Sequence, residues 1–138
     1  MVAYACFAAS DLGKGVGLDG ANGRRRSDGR PGHLCYGPYI TLGPGLYTAG
    51  FYVQRSASAE EGEIEVEVCN DQGRRVFGSR TEPVKDLFAS ISGLVHVDFA
   101  IDAVERECEI RLRVPPRVAI EVSRAVLFRR DLMRWGER

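Results

Sequence analysis

Glu63-Ile64-Glu65-Val66-Glu67-Val68-Cys69 alternates acid and aliphatic, residue by residue. A backbone of period two puts Ile64, Val66 and Val68 on one face and the three glutamates on the other, so the stretch reads as a half-buried strand. A helix would scatter the same residues around its circumference. Asn70-Asp71-Gln72-Gly73 follows as turn chemistry and leads into a further extended run over Arg74–Arg80.

The same alternation recurs on both sides. Val95, Val97, Phe99 and Ile101 form one inward set, with His96, Asp98 and Ala100 opposite. Cys108, Ile110, Leu112 and Val114 form another, with Glu109, Arg111 and Arg113 facing away, and Pro115-Pro116 stops that strand. Val118, Ile120 and Val122 open a last strand in which Arg124 falls out of step before Val126 and Phe128. A bulge near Ser123–Ala125 is expected there. Upstream, Tyr47, Ala49, Phe51 and Val53 oppose Thr48, Gly50, Tyr52 and Gln54. Single helical turns are expected only within Val84–Ser90 and Asp131–Trp135. The pattern predicts an all-β fold, an antiparallel two-sheet β-sandwich (jelly roll) of seven to eight strands over residues 1–130, with 131–138 as a tail. A small closed barrel is the other architecture that fits. On the outward faces, Glu65 or Glu67 beside Arg111 or Arg113 would make cross-strand pairs.

Residues 11–33 do not alternate. They hold seven glycines, one proline and the arginines Arg24, Arg25, Arg26 and Arg30, and read as a long loop whose arginine run is solvated or clamps an anion. The four cysteines, Cys6, Cys35, Cys69 and Cys108, contain no CxxC pair, so neither a zinc site nor a redox motif is indicated. All four read as reduced and structural, with Cys69 and Cys108 continuing the inward parity of their strands, as in a cytoplasmic protein.

In 138 residues, 19 Lys+Arg balance 19 Asp+Glu, which argues against a dedicated nucleic-acid binder. No run approaches the 18 or so apolar residues of a membrane helix, and the apolar N-terminus lacks the basic start of a signal peptide. No GxSxG, HExxH or P-loop is present, and Gly13-Lys-Gly-Val-Gly17 lacks the phosphate-loop spacing, so no catalysis and no cofactor are expected. Glu60, Glu61 and Glu63 could offer oxygens to a structural calcium, without any EF-hand spacing.

Gly32-His-Leu-Cys-Tyr-Gly-Pro-Tyr-Ile-Thr-Leu-Gly-Pro-Gly-Leu-Tyr47 is the most specific motif. It resembles the opening of jelly-roll sandwiches of the galactose-binding or carbohydrate-binding-module type, found beside bacterial glycosyltransferase and methyltransferase domains. The similarity extends loosely over residues 3–130. Gly43-Pro44 stands where a double proline is more usual, which affects the corner alone. The resemblance implies a non-catalytic accessory module that binds a glycan or small sugar.

A sugar site needs a flat aromatic face and a few planar polar groups. Tyr36 and Tyr39, next to His33 and the arginine loop, are one candidate rim; their bland reading is closure of the sandwich edge. Tyr52, His96, Asp98 and Arg111 share the outward parity and would form a second patch if their strands were neighbours. Otherwise they are a solvated face of paired charges. Trp135 would be a platform or would pack the tail. The alternative function is a structural or oligomerisation domain, with an apolar patch of Phe128, Met133 and Trp135 making a homodimer.

Overall fold

The computed structural model describes residues 4–56 and 61–132. Their strands are β1 (Tyr4–Ala8), β2 (Leu18–Asp19), β3 (Arg25–Arg26), β4 (Gly32–Cys35), β5 (Pro38–Leu42), β6 (Gly45–Arg55), β7 (Glu63–Asn70), β8 (Arg75–Pro83), β9 (Gly93–Ile101), β10 (Glu105–Val114) and β11 (Ile120–Arg129). One sheet runs β2-β3-β11-β6-β9 with β1 also on β11. The other runs β4-β10-β7-β8 with β5 also on β10. Every pairing is antiparallel. The segments outnumber the expected seven or eight strands because two edges are broken. β3 and β1 take successive lengths of one side of β11, and β4 and β5 take successive lengths of one side of β10.

The sheets close over the residues that the alternation marks. Ile64, Val66 and Val68, Val95 to Ile101, Cys108 to Val114, and Tyr47 to Val53, each taken at every second position, are buried in one core. Tyr47 stacks on Phe99 with ring centroids 5.4 Å apart and donates its hydroxyl to the Gly43 carbonyl at 2.7 Å, fixing the Gly-Pro-Gly corner at the start of β6. The register between β11 and β6 shifts between Val122 and Arg124, where the bulge is expected. Its effect is to turn Ala125 and Leu127 inward. Val126 and Phe128, read as core positions, stand opposite Gly50 and Thr48 on the outer face instead.

Cys69 also departs from its expected side. It continues the parity of Glu63, Glu65 and Glu67, pairs with Glu109, and is buried beneath outward-facing polar side chains rather than in the core. All four cysteines are free thiols. Val84–Asp86 forms a single 3-10 turn. The rest of the proposed turn after Asp131 lies outside the described residues, as do Met133 and Trp135. Among the described residues no helix is long and apolar enough to cross a membrane.

The stretch read as a loop contains β2, β3 and the start of β4, and Arg25 within it is 1% exposed. Its guanidinium donates from Nε to Asp19 Oδ1 (2.6 Å), from Nη1 to the carbonyls of Gly13 (2.8 Å) and Leu34 (3.0 Å), and from Nη2 to that of Leu12 (2.9 Å). The run is therefore neither solvated nor an anion clamp at this position. A planar fork of donors is what lets one side chain satisfy several carbonyls at once. Replacing Arg25 by Met should cost about 3 kcal/mol or more in urea unfolding, because the carbonyls lose their donors inside the fold. Arg25 also holds the Asp19 carboxyl below its ordinary value of 3.8. That contribution is complete above the ordinary value and fades as pH falls through the folded one, so Asp19→Asn should flatten the acid limb of a stability–pH curve.

Candidate functional site

At one end of the outer face of the β4-β10-β7-β8 sheet, Tyr39 of β5, Asp71 and Gln72 of the β7–β8 turn, and Glu107, Glu109 and Arg111 of β10 line a pocket of about 350 Å³. Each comes to it for a local reason. Glu109 and Arg111 hold the outward parity of β10, so they lie on the same face two residues apart. Gln72 and Asp71 arrive through the tight turn that Asn70-Asp71-Gln72-Gly73 encodes. Tyr39 follows Gly37-Pro38, where the edge strand breaks between β4 and β5.

The backbone here is strained. Six described residues other than glycine have positive φ, and four of them line this pocket: Tyr39 (69°), Asp71 (49°), Gln72 (56°) and Glu107 (57°). An L-residue in this region costs of order 1 kcal/mol or more, and such residues cluster where a surface has a task beyond folding.

The electrostatics are closely paired. Glu109 is 3% exposed although it faces outward. Arg111 grips it two ways, Nη2 to Oε2 at 3.0 Å and Nε to Oε1 at 3.4 Å, while Nη1 stands 3.9 Å from Glu67 Oε1. Gly73 makes room for that guanidinium: a Cβ there would lie 2.8 Å from Arg111 Nη1. Below the pair, burial pushes the Cys69 thiol up to about 12. Tyr39 keeps half of its surface exposed. Burial of the remainder and the Glu109 carboxylate push its phenol above the ordinary value. The site thus offers an open ring beside a fixed carboxylate–guanidinium fork, with the Gln72 amide and two further carboxylates on the rim.

The remaining sequence candidates divide. His33 stands on the same outer face, opposite Arg113 in the register. Tyr36 takes the bland role: its backbone bonds Gly13 in both directions (2.8 and 3.1 Å), and its ring covers that glycine. Tyr52, His96 and Asp98 share the outer face of the other sheet, opposite Leu94, Gly50 and Thr48. Thr48 donates to Asp98 at 2.6 Å. Arg111 does not join them, because β10 pairs with β7 and not with β6 or β9. The cross-strand pairs expected on the glutamate face are present, with Arg113 2.6 Å from Glu65. A larger groove of about 510 Å³ along Glu65, Thr81 and Arg113 has no aromatic face. Sequence reasoning missed Asp71, Gln72, Glu107 and Glu109 as site residues; the turn signal at 70–73 was the one available pointer. Among the described residues no group of three or more His, Cys, Asp and Glu is arranged to hold a metal. Glu61 and Glu63 are exposed, and Glu60 lies outside the described residues.

The architecture is a β-sandwich similar in fold to solved carbohydrate-binding modules. The carbohydrate-binding module of Cellvibrio mixtus lichenase 5A, solved with cellotriose, superposes with a TM-score of 0.63 at 13% identity, over 91% of this chain and 96% of that one. The C-terminal CBM6 of the laminarinase LamC from Zobellia galactanivorans gives 0.58 at 12%, over 91% and 99%. A family two carbohydrate esterase from Cellvibrio japonicus gives 0.52 at 15%, over 92% of this chain and 34% of that one. At these identities the likeness is one of fold. No protein-family model matches the chain, and no curated protein matches it in sequence.

His33 checks the electrostatics of this face. Burial first, then the positive charges of Arg111 and Arg113, hold its pKa below the ordinary 6.5. In an NMR titration the His33 resonance should move below that value, and Arg111→Gln should shift it upward. Because the folded value is depressed, this histidine contributes stability above pH 6.5 that is lost as pH falls through the folded pKa.

Proposed function

We propose that this chain is a non-catalytic accessory module that binds a glycan in the Tyr39 pocket. The observation that carries the reading is an exposed aromatic ring, held in a left-handed backbone, beside a buried and fully paired Glu109–Arg111 fork. A pyranose presents a C–H face to the ring and hydroxyls to its side. The Gln72 amide, the Asp71 and Glu107 carboxylates and the outer edge of the Arg111 fork meet those hydroxyls with donors and acceptors in fixed positions. Three carboxylates against one paired guanidinium favour a neutral sugar over an anionic one. The fold likeness to modules that include one solved with cellotriose supports the same reading. A companion catalytic domain of the kind the sequence resemblance implies would be the activity it serves.

A glycan-array screen of the purified chain, repeated with Tyr39→Ala and Tyr52→Ala, tests this. Tyr39→Ala should weaken the neutral-glycan signal at least tenfold with its thermal transition unchanged, whereas Tyr52→Ala should retain it. Silence across the array, together with a dimer in light scattering, would transfer the function to oligomerisation.

A further inference from the structure

On the outer face of the β2-β3-β11-β6-β9 sheet, remote from Tyr39, a second groove of about 470 Å³ runs between Arg24, Tyr52, Gln54, Ser123 and Arg124, and its lining residues include no carboxylate. Its charged groups are two guanidinium donors, beside an amide and hydroxyls. Arg124 is exposed, and its guanidinium carbon sits 4.5 Å above the Tyr52 ring. A cation on an aromatic face spends no hydrogen-bond donor there, so the N–H groups of the fork stay available. Among the described residues the Arg124 side chain makes no hydrogen bond or ion pair. Arg24 commits Nη1 to Glu121 at 2.8 Å and keeps its other donors. Ser92 donates to Gln54 Oε1 at 3.2 Å, which leaves the NH₂ end of that amide as a donor.

The bulge of β11 is what builds this array. By inserting Ser123 between the residues that pair with Val53 and Tyr52, it sets Ser123 and Arg124 at the groove and aligns Arg124 with the ring. The surrounding charge has the same sign. Arg24 and Arg26 both stand by Glu121, the first through its ion pair and the second in the strand register, so three guanidinium groups here face a single carboxylate. The chain is neutral as a whole, but this corner is not.

We propose that the groove is a second binding site, for a saccharide unit bearing an anionic group, a carboxylate or a sulfate ester. Arg124 and Arg24 bind the anion as forks, and Gln54 and Ser123 take neighbouring hydroxyls. Tyr52 acts as the support of Arg124. That the anion is carried on a sugar rests on the saccharide-binding reading above; the anion specificity rests on the groove itself.

Isothermal titration of the whole chain with trigalacturonate, a sulfated galactose disaccharide, inorganic sulfate and a neutral galactose trisaccharide tests it. The expected result is binding of at least one of the two anionic saccharides that weakens with added NaCl, falls at least tenfold in Arg124→Gln, and is unchanged in Tyr39→Ala. The arm that binds identifies the anion. Arg124 is exposed, so its variant should keep the parent's thermal transition. Neutral-trisaccharide binding that is as tight and falls likewise in Arg124→Gln, an anionic-saccharide affinity unchanged in Arg124→Gln, or no binding of either anionic saccharide overturns the proposal; inorganic sulfate binding as tightly as both overturns its saccharide part. Neutral-glycan binding that is absent, or that survives in Tyr39→Ala, with the Arg124-dependent binding intact would sink the first site alone.

Discussion

Among the described residues Arg25 is one of the largest side chains that the fold buries completely, and its bonds reach into both sheets. It lies in β3, which pairs with β11, while the carbonyl of Leu34 that it holds belongs to β4 on the opposite sheet. A second carbonyl, that of Gly13, also accepts the Tyr36 N–H. One guanidinium therefore fixes Gly13, Gly13 fixes Tyr36, and Tyr36 sets where the chain leaves β4 for Pro38 and Tyr39. An aliphatic residue could fill the volume but would leave the carbonyls without donors in a dry interior. The glycine-rich stretch has little apolar content of its own, so this polar centre is what orders it. The cost is a buried cation, offset by the half-exposed Asp19 and by peptide dipoles aimed at it.

The two outer faces follow from the same alternation and differ in how their charges are matched. On the glutamate-bearing sheet the arginines that face the glutamates find acids: Arg113 on Glu65, Arg111 on Glu109 and near Glu67. Exposed pairs of this sort add little stability. The buried Glu109 is different, because its geometry is set and it has little freedom to reorient. On the opposite sheet the bulge leaves Arg124 without an acid and gives it an aromatic ring instead. A zero net charge conceals both arrangements, since it reports the sum and not the placement.

The strands were legible because each has one dry face, and a period of two survives any rearrangement of strand order. That is why Ile64, Val66, Val68 and the sets at 95–101 and 108–114 could be assigned from sequence. The period does not say which sheet a strand joins, which separated Arg111 from Tyr52, His96 and Asp98. The bulge was visible as a broken rhythm at Arg124, but its consequence for Val126 and Phe128 depended on register with β6. Arg25 was unreadable for another reason: a buried arginine is specified by carbonyls, and every sequence supplies those. Of the candidate site, Tyr39 and Arg111 were found by residue type. Glu109 looked like an ordinary surface partner until its burial was known.

The left-handed turns around Tyr39 bear on how the pocket would meet the proposed glycan. Residues 39, 71, 72 and 107 are in conformations that free chains seldom visit, at the irregular register between β5 and β10 and in the turn between β7 and β8. The rim therefore has its shape before encounter, and little configurational freedom remains to be lost when a ligand settles. Affinity at a shallow surface is usually limited by that loss. A rim with that shape would also read stereochemistry in the proposed sugar, because an epimer's hydroxyl would point away from its fixed partner.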